Sequence, residues 1–300
     1  MKGWKEKLLS QAGREVLIKA VVQAIPTYTM NCFKLPVTLC KEIEGIIRRF
    51  WWGQNTDKRK IHWLRWEKLC FSKGEGGLGF RDIQKFNIAL LAKQFWRLMH
   101  CRSSLFFKVF NAKFFPDGNI MEASTKTKGS FAWRSILKAK ELIQSGLSWR
   151  VGDGTKIPIK GSNWLLDEGH RRVLSPLTNV PHDARVAELI QGSTPTWNVH
   201  KVQNLFLPYD AEAILKIPLS RRIQADKLFW YATRDGKYSV RSGYKLLLQE
   251  SRASQLGSSR QWEPDPLWKK IWRARVPVKI RSFLWRACHE SLPTKLGLYK

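Results

Sequence analysis

The chain has 300 residues, 43% hydrophobic and 12% aromatic, enough for about two domains of roughly 150 residues each, and its 15 Trp set it apart from a disordered chain. Lys and Arg number 53 against 24 Asp and Glu, and the resulting +29 must repel itself unless an anion is nearby, so a polyanion is the expected partner. A membrane span is not expected, because no stretch approaches the roughly 18 uninterrupted apolar residues it would need, and the rich segment Val16 to Ile25 is cut by Lys19 and Gln23.

In chain order, Val16, Leu17, Ala20, Val21 and Ala24 repeat at helical spacing with Lys19 and Gln23 opposite, which predicts an amphipathic helix over 10–24 that ends at Pro26. Leu39, Ile43, Ile46, Ile47 and Phe50 predict a second helix, closing at Trp51-Trp52-Gly53. The run Lys73-Gly-Glu-Gly-Gly-Leu-Gly predicts a loop that leads into a helix from Asp82 to His100, and further helices are expected over 104–115 and 130–144. Alternation around Asp153-Gly154 and around Arg234-Asp-Gly-Lys predicts two β-hairpins, with short helices over 186–190 and 211–217 between them. Glu250 to Gln261 reads as a linker, and Leu267 to Trp272 with Val278 to Cys288 as a helix pair whose second member starts at Pro277.

Candidate chemistry is sparse. Two-metal chemistry on nucleic acid needs clustered carboxylates, yet Asp153, Asp167, Asp183, Asp210, Asp226, Asp235 and Asp265 are isolated, and several sit in turn or cap contexts. The Gly-rich run lacks the Gly-Lys-Ser/Thr ending of a phosphate loop and follows no apolar strand, which favours a tight turn. His62, His100, His170, His182, His200 and His289 have no helical His-x-x-x-His spacing, and Cys32, Cys40, Cys70, Cys101 and Cys288 contain no Cys-x-x-Cys. Neither a metal nor another cofactor is expected, and the cysteines read as buried thiols on the reducing side of the cell, consistent with a start that lacks a secretory signal. What remains is basic residues interleaved with aromatics, in which cations would bind phosphates and aromatic faces would stack bases. The candidate contacts are Arg48, Arg49, Lys58, Arg59, Lys60, Lys269, Lys270, Arg273 and Arg275, with Trp51 and Trp63 as stacking groups.

Several blocks carry a resemblance. Leu9-Ser-Gln-Ala-Gly-Arg-Glu-Val-Leu-Ile-Lys-Ala-Val, Ile25-Pro-Thr-Tyr, Phe50-Trp-Trp-Gly, Phe86-Asn-Ile-Ala-Leu-Leu-Ala-Lys-Gln-Phe-Trp-Arg-Leu and Trp149-Arg-Val-Gly-Asp-Gly resemble the region after the reverse transcriptase palm in plant LINE-type (non-LTR) retrotransposons. Tyr238-Ser-Val-Arg-Ser-Gly-Tyr, Trp268-Lys-Lys-Ile-Trp, Val276-Pro-Val-Lys-Ile-Arg-Ser-Phe-Leu-Trp-Arg-Ala and Leu292-Pro-Thr resemble that family's reverse transcriptase zinc-binding domain. The resemblance implies zinc ligands beyond the Leu-Pro-Thr block, polymerase carboxylates upstream of Met1 and often an RNase H domain downstream, so neither activity is carried over to these residues. One departure, around Lys160 to Trp164, predicts weakened packing there.

The expected fold is mainly α with small β-hairpins (α+β). It comprises a helical thumb-like or connection-like segment over 1–147, a mixed segment over 148–250, a linker over 251–264, and the start of a zinc-binding-like domain over 265–300. The expected function is non-catalytic binding of RNA, DNA or their hybrid beside the rest of a reverse transcriptase, with an inactive retroelement remnant as the alternative.

Overall fold

A computed structural model describes residues 9–53, 61–123, 129–165, 170–178, 180–192, 194–220, 222, 224–256 and 265–292. Among the described residues the architecture is mainly helical with two small antiparallel sheets of two strands each. The chain divides into two compact units, residues 1–140 with 244–300, and residues 141–243.

The first unit begins with α1 (Gln11–Leu17), whose N-terminus is capped by Ser10, and runs directly into a π-helical turn over Ile18–Val22. The face turned inward is already reversed in α1, before that turn. Glu15, Ile18 and Gln23 are buried, while Val16, Val21 and Ile25 are 64%, 45% and 73% exposed, the reverse of the face expected from the sequence. Polar partners hold this orientation: Glu15 accepts from the ammonium groups of Lys19 and Lys73, each at 2.7 Å. Next come α2 (Thr27–Cys32) and α3 (Val37–Trp52), the latter ending at Gly53 with φ of 68°, a left-handed cap that favours glycine.

After α4 (Trp66–Cys70) and a short 3-10 turn at Lys73–Glu75, Asp82 caps α5 (Ile83–His100), the central helix of the unit, which buries Ile83, Phe86, Leu90, Leu91, Phe95 and Leu98. Its buried Asn87 ties α2 to α5 by donating to the carbonyls of Met30 and Phe33 and accepting from the Leu35 amide. Ser104 caps α6 (Leu105–Phe114) and Ser130 caps α7 (Phe131–Leu137); Phe114 and Phe115 stack on Trp133 at 4.8 and 5.6 Å. The single helix expected over 130–144 is therefore two, α7 and α8 (Lys140–Gly146).

The second unit is organised by one carboxylate. Asp226 accepts from the amides of Gly152 (2.7 Å), Gly154 (2.9 Å) and Lys156 (2.9 Å). The loop at Asp153-Gly154 thus folds around a distant side chain instead of closing a local hairpin. Strand β1 (Leu147–Arg150) pairs antiparallel with a strand about eighty residues away, Lys227–Trp230, with Leu147 opposite Trp230 and Arg150 opposite Lys227. The local hairpin in this unit lies elsewhere, between β2 (Ile190–Gln191) and β3 (Thr196–Trp197), following a 3-10 turn at Val186–Leu189. Helices α9 (Val199–Leu205) and α10 (Pro208–Leu215) come next, and Lys227–Trp230 is β4. The second expected hairpin is a tight return, with the Trp230 amide bonded to the Gly236 carbonyl but no second strand.

The core of this unit gathers Ile157, Ile159, Trp164, Leu165, Val186, Leu189, Val202 and Ile214. Trp164 is fully buried and its indole donates to the Ile159 carbonyl, while the Lys160 ammonium reaches the Val180 carbonyl at 2.7 Å. Packing around 160–164 is therefore intact despite the expected weakening. From residue 244 the chain belongs to the first unit again: helix α11 (Val240–Leu256) continues through positions 250–256, read from the sequence as the start of a linker, and α12 (Pro266–Arg273) and α13 (Val278–Cys288) form the expected pair.

Candidate nucleic-acid interface

The Gly-rich loop supplies the seat on which the candidate interface is built. Its amides are consumed internally: Gly76 donates to Lys73, Gly77 to Ser72, Leu78 to Leu69 and Gly79 to Phe71. Those groups are spent on the turn, so the loop offers them to no phosphate. What it offers is a carbonyl: the Gly76 oxygen accepts from the Trp285 indole at 2.7 Å and from His289 Nε2 at 2.6 Å. Gly76 has φ of 85°, and a Cβ there would lie 2.8 Å from Cε2 of Trp268, so glycine is required twice over. Trp268 in turn stacks on His289 with ring centroids 4.4 Å apart.

Around this seat the polar groups are matched. Arg252 of α11 makes a bidentate pair with Glu75 at 3.0 and 3.1 Å, and its guanidinium lies over the Phe71 ring. Burial by itself would raise the Glu75 carboxyl, but the hydrogen bonds from Arg252 and Ser72 outweigh it and hold the group below its usual value. For His289, burial lowers the imidazole value and the bond to Gly76 opposes it only in part. The Lys73 ammonium sits over the Trp272 ring at 4.2 Å.

These contacts fix which way α12 and α13 face. Asp265 caps α12 through the Leu267 amide, and Pro266 takes the first helical position. Trp268, Ile271 and Trp272 then point inward, and Lys269, Lys270 and Arg273 point to solvent, followed by exposed Arg275. On α13, Ser282 and Trp285 are buried and Arg281 donates to the Trp272 carbonyl. Its outer face carries Lys279, Ile280, Phe283 and Leu284. Among the described residues, none of Lys269, Lys270, Arg273, Arg275 and Lys279 is paired with a carboxylate.

The other candidates from the sequence fall differently. Trp51 is 1% exposed, its indole packed edge-on against Phe80 at 5.4 Å and against Trp52, so no base can reach its face. The aromatic density at Trp51-Trp52 serves the core. Trp63 is half-buried against the same core cluster. Arg49 is exposed near the end of α3, whereas Arg48 is half-buried. Arg48 lines a groove of about 640 Å³ together with Lys34, Lys41, Glu44, Glu67 and Asp82, a lining of mixed charge. Glu44 in that groove accepts from the Ile83 amide, and burial raises its carboxyl above the usual value. Lys58, Arg59 and Lys60 lie outside the described residues. The residues missed from the sequence are Lys279 and Phe283. The sequence predicts their helix only as the second member of a pair, and its outward face depends on where Trp285 and His289 find their acceptor.

Six of the eight described aspartates serve the backbone: Asp82, Asp153, Asp210, Asp226, Asp235 and Asp265 each accept from at least one main-chain amide. Among the described residues no group of three His, Cys, Asp or Glu side chains is placed to hold a metal ion, and no helix is long and apolar enough to cross a membrane.

Residues 238–300 match the family model described as zinc-binding in reverse transcriptase. Over 98% of its length the chain is 30% identical to an Arabidopsis thaliana protein named "Putative ribonuclease H protein", of which it spans 47%. Over 48% of its length it is 44% identical to 95% of an "Uncharacterized mitochondrial protein" of the same plant. The zinc that the family description implies does not fit the residues described. Cys288 and His289 are the Cys and His of residues 238–300, they are adjacent, and His289 is committed to Gly76 and to the Trp268 ring.

Proposed function

We propose that this chain, which belongs to the reverse transcriptase-related proteins of plant retrotransposons, binds nucleic acid along its phosphate backbone and does not itself catalyse its chemistry. The observation that carries this reading is the outer face of α12: Lys269, Lys270 and Arg273 stand in solvent with no carboxylate among the described residues to neutralise them. A net charge of +29 extends the same field over the whole chain. Placing Lys270 and Arg273 in the last turn of α12 also suits the negative end of the helix dipole, so the cations are favoured there before any ligand arrives. Arg49, Arg275 and the Lys58-Arg59-Lys60 run join the proposed contact set. The expected ligands are RNA, DNA or their hybrid, and the expected setting is beside the polymerase part of a reverse transcriptase.

The test is fluorescence anisotropy of the full chain with labelled RNA, DNA and hybrid, titrated over salt. Replacing Lys269, Lys270 and Arg273 together by Ala is expected to lower the salt slope by about two to three units, at roughly 0.7 to 0.9 per phosphate contact. The same triple replacement at Lys58, Arg59 and Lys60 reports on that run separately. An unchanged slope in a variant that melts like the parent removes the corresponding cluster. A parent that melts cooperatively yet shows no saturable binding refutes the reading and leaves an inactive remnant.

A further inference from the structure

We infer that the α12–α13 face is built for single-stranded rather than duplex nucleic acid, with the Phe283 ring as its base-stacking surface and Lys279 as the phosphate contact beside it. This rests on the nucleic-acid reading above and narrows its ligand.

The inference starts from how α13 is anchored. Ser282 and Trp285 are buried, and the cap residue His289 is held at Gly76. With positions 282, 285 and 289 turned inward, positions 279, 280, 283 and 284 must face away at helical spacing. Phe283 is accordingly 56% exposed, flanked by Ile280 at 45% and Leu284 at 37%. Leaving a phenyl ring in water has an unfavourable free energy, and nothing in its anchoring requires it, since the opposite face supplies every bond that seats the helix.

The surroundings of the ring select its occupant. Lys279 lies four residues before Phe283, about 6 Å along the helix axis and on the same side, and Lys269, Lys270, Arg273 and Arg275 of the paired helix and its connection are also exposed and cationic. A cationic or purely apolar partner would leave these charges uncompensated. A duplex satisfies them with phosphate but keeps its bases stacked inside, so the ring and its two aliphatic neighbours would meet only a charged backbone. A single strand offers both surfaces in alternation: a phosphate for Lys279, and an unstacked base whose π-face any aromatic ring accepts regardless of sequence.

The experiment compares single-stranded RNA, single-stranded DNA, duplex DNA and RNA–DNA hybrid of one length by anisotropy, using the full chain, Phe283→Ala and Phe283→Tyr. Phe283→Ala is expected to weaken single-strand binding about tenfold while changing duplex and hybrid binding less than about twofold, and Phe283→Tyr is expected to restore it. Comparison of the RNA and DNA arms identifies which strand is preferred. Equal loss on single strands and duplexes, or no loss on either, overturns the inference while leaving the backbone-binding reading in place if the salt slope persists. Absence of any salt-dependent binding by the parent chain instead overturns that reading. Sedimentation of the same proteins covers the remaining occupant: self-association lost in Phe283→Ala, with nucleic-acid affinity unchanged, assigns the face to a second copy and refutes the inference.

Discussion

Replacing Asp226 tests whether one carboxylate builds the second unit. Its two oxygens accept three backbone amides, those of Gly152, Gly154 and Lys156, at 2.7 to 2.9 Å, and the side chain is 7% exposed. A hydrogen bond to a charged group contributes about 1.5 to 3 kcal/mol net, and a buried amide left without a partner costs about 1 to 3 kcal/mol. The Gly154 amide is buried and the other two are partly so, and water will re-solvate the latter in part. Asp226→Ala is therefore expected to cost about 3 to 5 kcal/mol. Asp226→Asn can keep the bonds to Gly152 and Gly154 through its oxygen but turns a donor toward the Lys156 amide, so about 1 to 3 kcal/mol is expected. Urea denaturation of the full chain supplies the magnitude, and hydrogen exchange read by mass spectrometry supplies the place. Protection should fall first in residues 147–165 and 224–230, because Asp226 immediately precedes β4 and the loop it holds immediately follows β1, the two strands that pair. A loss below about 0.5 kcal/mol with unchanged protection in those segments would refute the reasoning, as would Asn proving worse than Ala.

Gly76→Ala is expected to destabilise the first unit by about 2 kcal/mol or more, through a left-handed backbone and a Cβ driven into the Trp268 ring, with a red shift of Trp emission as the seat opens; a parent-like melt would show that the seat is not needed. The His289 clamp predicts a pH dependence whose sign follows from its lowered value: above the ordinary 6.5 both folded and unfolded imidazoles are neutral and stability is complete. As pH falls below 6.5 the unfolded chain takes up the proton first, so stability is lost down to the folded value. Thermal melts between pH 7.5 and 5 should show this loss, and His289→Gln, which keeps a donor for Gly76, should flatten it; an equal slope in the variant would assign the dependence to other groups.

Much of the helical framework was legible because its signals are local. Ser10, Asp82, Ser104, Ser130 and Asp265 all cap the helices they precede, and an amide finds a side-chain oxygen two or three residues back whatever the remote chain does. The misplaced hairpins have the opposite character. Asp153-Gly154 is a strong turn signal, but its neighbouring amides are taken by a carboxylate more than seventy residues away, and no local pattern announces that competition. The first helix faces the other way for a related reason: Glu15 is drawn inward to Lys19 and to the remote Lys73, and no apolar stripe announces that pairing. The stacking role given to Trp51 failed on burial, since a large ring beside arginines reads the same in sequence whether it faces a base or Phe80. The exposure of Phe283 is not legible in sequence, because the face of α13 that turns inward is set by the bond from Trp285 to the Gly76 carbonyl, 209 residues away.

The way the acidic residues are used bears on why so much positive charge reaches the surface. Asp210 is spent on Leu174, Ser175 and His170, and Asp226 on its loop; Asp82 and Asp265 cap helices, and Glu44 serves the Ile83 amide. Glu15 and Glu75 do meet cations, but those cations are Lys19, Lys73 and Arg252, all engaged in holding the Gly-rich seat and its neighbours. Carboxylates committed to backbone amides or to internal ion pairs screen the outer face poorly. The exposed cations of α12 and its connection to α13 thus keep their field, and each one placed in solvent without a partner adds to the self-repulsion of a chain already at +29. That arrangement becomes favourable when a polyanion lies along the surface and its condensed counterions are released, which is the thermodynamic basis for the proposal that the outer face of α12 meets a nucleic-acid backbone.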